Sequence, residues 1–389
     1  MPAGDRVHAM DNLRALAMLA GVVFHAALAY SPLMHPVWPA ADPGNSVVVD
    51  AVAWFVHMFR MPLFFALAGY FAARLVTRRS MAGLFRNRCR RVLLPLALLT
   101  PPALASLAWL TERAAETVAR PSPALTWIRT YIEQHGAMPS MPGWAHLWFL
   151  FYLMLFTLMV WVASALDVGR IGARIAAMPV PALIAVAPLL TAPALAMVGV
   201  PWPAPEFFVP ALWALAFFGL YFAFGYQLHL HDRLLDRLRP LSPFLLAGGL
   251  LSYLLLFRVT GAFTVARPPA MQHALHALLE ACAGCWMTLW CLLAARRWLD
   301  SRSATMRWLA DSAYWVYLVH LPLLLAIQYP LLDMPWQWTA KFASSLAATL
   351  VLSFASYQLL VRHTVIGRLL DGKAPNATAA APAPTSPAS

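Results

Sequence analysis

The sequence predicts an all-α integral membrane protein of about ten transmembrane helices, with both termini in the cytoplasm. Three observations carry that prediction. Only 11% of the 389 residues are charged and 61% are hydrophobic, whereas soluble domains carry about 25% charged residues. Apolar runs of the length that crosses a bilayer core recur along the chain, and the mean hydropathy is +0.65. Basic residues lie almost entirely between those runs. The net charge of +12 therefore reads as loop charge at an anionic membrane face, and no nucleic-acid partner is expected.

The spans fall at roughly 11–31, 47–75, 91–110, 144–166, 178–199, 207–228, 243–263, 272–295, 311–329 and 337–362. The first reads as a retained helix. Arg14 and His25 interrupt it, and it is too long for the apolar region of a removable signal peptide. Proline segments, Pro101-Pro102, Pro201-Trp202-Pro203 and Pro268-Pro269, are expected to mark span ends, and the longest loop is about 111–143. The sequence shows no internal repeat and no inserted soluble domain. One membrane domain is expected over residues 5–365, followed by an Ala/Pro/Ser/Thr-rich, disordered cytoplasmic tail over 372–389.

Charge sets the orientation. Twenty of the 28 Lys and Arg residues precede span 1, fill the even-numbered connections or follow span 10. The opposite side holds six: Arg113, Arg120, Arg129, Arg258, Arg267 and Lys341. The positive-inside rule then puts both termini in the cytoplasm. Trp144, Trp148, Trp336 and Trp338 near span ends read as an interfacial belt. Cys282-x-x-Cys285 lies in one apolar run without a second ligand pair, so it reads as buried packing.

An ionisable side chain at bilayer depth costs about 2.5–3.5 kcal/mol, which makes it a functional candidate by default. In span 1, Arg14 and His25 are eleven residues apart, so they share one helix face about 16 Å apart. Arg14 lies near the inner boundary, where Asp11 can pair with it, and His25 lies toward the outer half. In span 2, His57 and Arg60 fall at i and i+3. Arg60 is too deep to snorkel and needs either an anionic partner, with Glu280 of span 8 at similar depth, or a place in a water-filled cavity. His273, His276 and Glu280 share one face of span 8; they read as cavity lining, and no metal site is expected. His229-Leu-His231-Asp232 reads as interfacial.

These residues carry a resemblance. Met10-Asp-Asn-Leu-Arg14, followed after ten intervening residues by His25, resembles the first helix of the membrane acyltransferase-3 family. His57-Met-Phe-Arg60 through Gly69-Tyr70 resembles that family's second-helix signature. Arg88-Cys-Arg-Arg91, His146-Leu-Trp-Phe-Leu150 and Tyr314-Trp-Val-Tyr-Leu-Val-His320-Leu-Pro322 follow in the family's order. The nearest subgroup is that of the glucan biosynthesis C proteins, periplasmic glucan succinyltransferases. One departure is Ala68, where the family commonly has Ser.

The resemblance implies an inner-membrane enzyme that moves an acetyl or succinyl group from cytosolic acyl-CoA to a hydroxyl of a periplasmic or envelope glycan. It implies no bound cofactor; acyl-CoA is a co-substrate. His25 and Arg14 are the catalytic candidates, with His25 as general base or as carrier of an acyl group. Asp11, His57, Arg60, Glu280 and His320 are candidates for substrate binding, and Arg88, Arg90 and Arg91 for the phosphates of CoA. The competing class is a polytopic exporter without acyl-transfer chemistry, which an inverted repeat would favour.

Overall fold

A computed structural model describes residues 8–140, 142–165, 177–231, 233–263 and 269–364, with positions 172, 174 and 367. Arg6, Arg170, Asp232, Arg267, Pro268, Arg368, Lys373 and the 372–389 tail lie outside the described residues. Among the described residues the chain is helical throughout, with no strand.

Eleven helices follow in order. They are α1 (His8–Leu28), α2 (Val47–Arg79), α3 (Met81–Thr117), α4 (Pro123–His135), α5 (Ala145–Ser164), α6 (Val180–Leu195), α7 (Leu212–Leu230), α8 (Arg233–Val259), α9 (Ala270–Trp298), α10 (Ala304–Leu331) and α11 (Trp338–Val361). Eight of them, all but α4, α6 and α7, are long and apolar enough to cross a membrane. Helices α6 and α7 occupy the fifth and sixth expected spans but are shorter or more polar. Helix α4 is an amphipathic addition within the loop expected at 111–143. Ser122 caps it by accepting from the Leu125 N–H at 3.1 Å, and Gly136 closes it at φ 70°.

Pro101 and Pro102 do not end a span. They lie inside α3, which runs on to Thr117. Hydrocarbon penalises every unpaired backbone group, so the helix continues through the proline pair instead of unravelling beside it.

Small residues set the helix crossings. A Cβ on Gly69 would stand 1.9 Å from the Phe222 carbonyl oxygen, and one on Gly225 1.8 Å from that of Ala66. Backbones of α2 and α7 therefore touch, which only glycine permits, and this is the most extensive helix pair in the molecule. Around that crossing Phe65, Trp148, Phe156, Phe218 and Phe222 form an aromatic core. Trp148 is part of it and so is not a belt residue as expected, while Trp144 is partly buried and stacks on Phe151 and Trp336 is exposed. Helix α1 packs between α2 and α10, and this placement creates the site.

Candidate active site

Three of the sequence motifs meet on α10. Tyr314, Tyr317 and His320 follow one another at three-residue intervals along that helix. The Tyr314 hydroxyl donates to the Arg91 carbonyl at 2.8 Å, tying in the arginine motif of α3. The Tyr317 hydroxyl donates to the His146 carbonyl at 2.6 Å, tying in the start of α5. His320 reaches α1, where its Nε2 lies 2.8 Å from His25 Nδ1, the two rings stacked at 21°.

The hydrogen bonds fix which nitrogen carries which proton. His320 Nδ1 faces the carbonyls of Tyr317 at 2.8 Å and Val316 at 3.2 Å. Carbonyls only accept, so Nδ1 is the protonated nitrogen and Nε2 carries the lone pair. His25 Nδ1–H then donates to that lone pair, and His25 Nε2 is left as a bare acceptor. The side chain of His25 is thus held by one nitrogen and carries a free lone pair at the other. His146 packs edge-on to His320 at 5.3 Å and donates from Nε2 to the Leu318 carbonyl at 3.2 Å. Its Nδ1 has no hydrogen-bond partner.

Arg60 lies one α1 turn below His25. Its guanidinium sits over the Phe24 ring at 4.5 Å, and a Cβ on Gly21 would stand 2.9 Å from the nearer terminal nitrogen. The side chain is buried, and its Nε has no hydrogen-bond partner. Among the described residues it has no carboxylate partner either. The expected ion pair with Glu280 is not formed. A buried guanidinium with no carboxylate partner, beside a neutral imidazole, is the arrangement's main electrostatic feature.

At the other end of α1, Arg14 pairs with Asp11 at 3.3 Å and lies over Phe71. Arg88 has Arg91 and Arg14 as like-charged neighbours and donates to the Ala68 carbonyl at 3.3 Å. Arg88 and Arg91 are half-buried, while Arg90 is exposed. Of the expected trio, Arg90 is thus the exposed member, and Arg14 joins Arg91 as a neighbour of Arg88.

Comparison with known proteins gives the arrangement its context. The Acyltransferase domain family matches residues 7–358, nearly the whole chain. The chain belongs to the acyltransferase-3 family. Glucans biosynthesis protein C of Salmonella typhimurium is 24% identical over 396 residues, covering 95% of this chain and 96% of that one. The protein of the same name from Escherichia coli K12 is 31% identical over 163 residues, 41% of this chain and 39% of its own. No solved structure matches.

Within this family member, His57 and Glu280 do something other than line a cavity. Both grip the backbone of Trp202, which the α6–α7 connection carries into the aromatic core. Glu280 accepts from the Trp202 N–H at 3.0 Å, and His57 Nε2–H donates to the Trp202 carbonyl at 3.0 Å. The Trp202 indole stacks on His57 at 3.8 Å, and His57 stacks in turn on Phe24 at 5.0 Å. The prolines on either side explain the arrangement: Trp202 has lost its helical partners, so a buried turn needs side chains to satisfy it. Farther along α9, His273 faces the Ala196 carbonyl at 3.1 Å. Sequence reasoning did not place Trp202 or Gly21 at the site, and it noted His146 and Tyr317 only within motifs, without a role. The signal for Trp202 was its place between two prolines in an otherwise apolar stretch.

Proposed function

We propose that this chain moves an acetyl or succinyl group from cytosolic acyl-CoA to a hydroxyl of a periplasmic or cell-envelope glycan, as a multi-pass enzyme of the bacterial inner membrane. The observation that carries the reading is the His25–His320 pair, which holds His25 with the Nε2 lone pair unengaged. The relatives named for glucan biosynthesis favour a glucan as acceptor.

In the proposed reaction His25 Nε2 takes the proton of the sugar hydroxyl as its oxygen attacks the thioester carbonyl. Charge develops on the carbonyl oxygen, and Arg60, buried and without an anion of its own, stabilises it. The C–S bond then breaks, the proton on Nε2 passes to the leaving thiolate, and acyl glycan and free CoA depart. Proton and acyl group are both accounted for without a resident cofactor. Arg14, Arg88 and Arg91 supply the cationic end for the phosphates of CoA. Asp11 orients Arg14, and His320 positions His25 instead of touching substrate.

Direction follows from the charge asymmetry. With the termini inside, the arginines face the cytosolic donor. His25 lies three residues before the end of α1, about 4.5 Å of rise from the outer mouth. An exporter without chemistry gains nothing from a tautomer-fixed histidine pair.

Release of CoA thiol by the purified protein in vesicles, supplied with acyl-CoA and a glucan, tests the reading. Wild type is expected to release thiol in proportion to acyl glucan formed, and His25→Ala to release none above background. Glucan crossing the bilayer with no thiol released would favour the exporter.

A further inference from the structure

The side of the molecule formed by the α1–α2 loop and α4 carries an open depression of about 570 Å³, lined by His35, Pro43, Pro121, Ser122, Thr126 and Trp127 among others. We propose that this depression docks a neutral oligosaccharide stretch of the acceptor, with the Trp127 indole as its stacking platform; the proposal rests on the acyltransferase reading and deepens it.

Chemistry of the lining selects the ligand class. No charged side chain contributes to it, which disfavours CoA phosphates and other anions. One indole face and three prolines offer apolar surface, while His35, Ser122 and Thr126 offer neutral donors and acceptors. A hexose presents the same pair of features, a C–H face and a rim of hydroxyls. Trp127 is 56% exposed at the start of α4. The ring of Tyr131 follows one turn later at 5.6 Å, and that of His135 another turn on at 4.1 Å, extending the aromatic surface along the helix. The His35 ring makes no hydrogen bond to another described residue.

The depression is built, not a gap between mobile loops. Its floor is tied by Ser122, whose hydroxyl donates to the Pro39 carbonyl at 2.6 Å. The chain entering α4 is held by Asp333, which accepts from the Ala119 and Arg120 N–H groups at 3.0 and 2.8 Å. On the other wall a buried Lys341–Asp42 ion pair at 2.6 Å fixes the α1–α2 loop. That loop is the direct continuation of the helix bearing His25, so a chain seated in the depression lies at the mouth nearest the proposed base. Trp127 as a simple membrane anchor fits less well, because its neighbours are polar residues and prolines rather than lipid-facing aliphatics.

The test uses the full-length protein in nanodiscs, with a neutral glucose hexasaccharide as probe and isothermal titration as readout. Trp127→Ala is expected to weaken hexasaccharide binding about tenfold or more. Thr126→Arg, which projects a long charged side chain into the depression, is expected to abolish it. Thermal unfolding should stay unchanged in both, since neither residue is in the core. CoA release with methyl glucoside as acceptor should also stay unchanged, because so small an acceptor needs only the His25 end. Hexasaccharide binding that survives both substitutions would overturn the proposal. So would a Trp127→Ala protein altered only in its hold on the membrane. Hexasaccharide binding at Trp127 without acyl transfer to any acceptor would keep the docking site and sink the acyltransferase reading instead.

Discussion

His25 is held by a neighbour 295 positions away in sequence. Two backbone carbonyls dictate the protonation of His320, and His320 dictates that of His25. Losing the general base is expected to lower transfer about 10²- to 10⁴-fold. Losing its positioner should cost less: His320→Ala is expected to lower kcat about 10²-fold with little change in the KM for acyl-CoA, measured by thiol release. An equal effect on KM would instead place His320 against the substrate. Gly21 offers a cleaner dissection. Alanine is a better helix former than glycine by about 1 kcal/mol, so Gly21→Ala should not weaken the helix. Its methyl group would push the flexible end of Arg60 away from 2.9 Å. The expected result is normal thermal stability with transfer reduced about tenfold or more; undiminished activity would mean that Arg60 does not work from that position. Arg14, His25, Arg60 and Glu280 stood out in the sequence, because an ionisable residue inside an apolar run is costly unless it has a function or a buried polar partner, and Glu280 has such a partner in the Trp202 backbone. Their partners were not. Depth along a span can be counted from a sequence, but which face meets which is decided by packing. Glu280 and Arg60 share a depth yet make no ion pair.

Among the elements, the α6–α7 connection was the least legible. Its proline-flanked Trp202 reads as a loop residue, yet it is 1% exposed, and two intramembrane ionisable residues serve its backbone. Burial explains their presence: an unpaired backbone N–H or carbonyl in that core costs about 1–3 kcal/mol. Glu280→Leu leaves the Trp202 N–H without a partner and is expected to destabilise the protein by about that amount, whereas Glu280→Gln, which keeps an accepting oxygen, should retain most of it. Thermal unfolding in detergent reads the difference, and equal loss in both variants would argue that the charge matters beyond the hydrogen bond. The stack from Trp202 through His57 to Phe24 also reaches the residue beside His25, so Glu280→Leu should slow transfer as well. Helix α3 shows a different limit of sequence reading. Two adjacent prolines signal a helix end in water, but hydrocarbon leaves the chain no better alternative than to remain helical. Helix α5 was placed to within two residues of the expected 144–166, because no Asp, Glu, Lys or Arg interrupts its apolar run, whereas α10 begins seven residues before the expected 311 because its first turns carry Arg307 and Asp311.

Across the molecule, the first helix and the last two are brought together around the site. Helix α1 packs against α10, and the loop that follows α1 is pinned to α11 by Asp42 and Lys341, both buried. Lys341 counted in the sequence as one of six outer cations, but it is sequestered as half of an ion pair. Breaking a buried pair leaves one charge uncompensated and costs about 3–5 kcal/mol, while replacing both partners with apolar groups is often neutral. Asp42→Leu alone is expected to destabilise strongly, and Asp42→Leu with Lys341→Met to recover most of the loss. Orientation is testable on the same scale. With the four native cysteines replaced, Asn45→Cys should react with an impermeant maleimide in intact spheroplasts, and Ser301→Cys only after the membrane is opened. The reverse pattern would invert the topology and separate the arginines from the cytosolic donor. The central claim, that His25 transfers an acyl group to an envelope glycan, is tested most directly by mass spectrometry of periplasmic and envelope glycans. Cells lacking the gene would be complemented with wild type or with His25→Ala expressed at the same level. A mass increment corresponding to an acetyl or succinyl ester, restored by wild type and absent with His25→Ala, is the predicted result. Equal restoration by the His25→Ala protein would contradict the account.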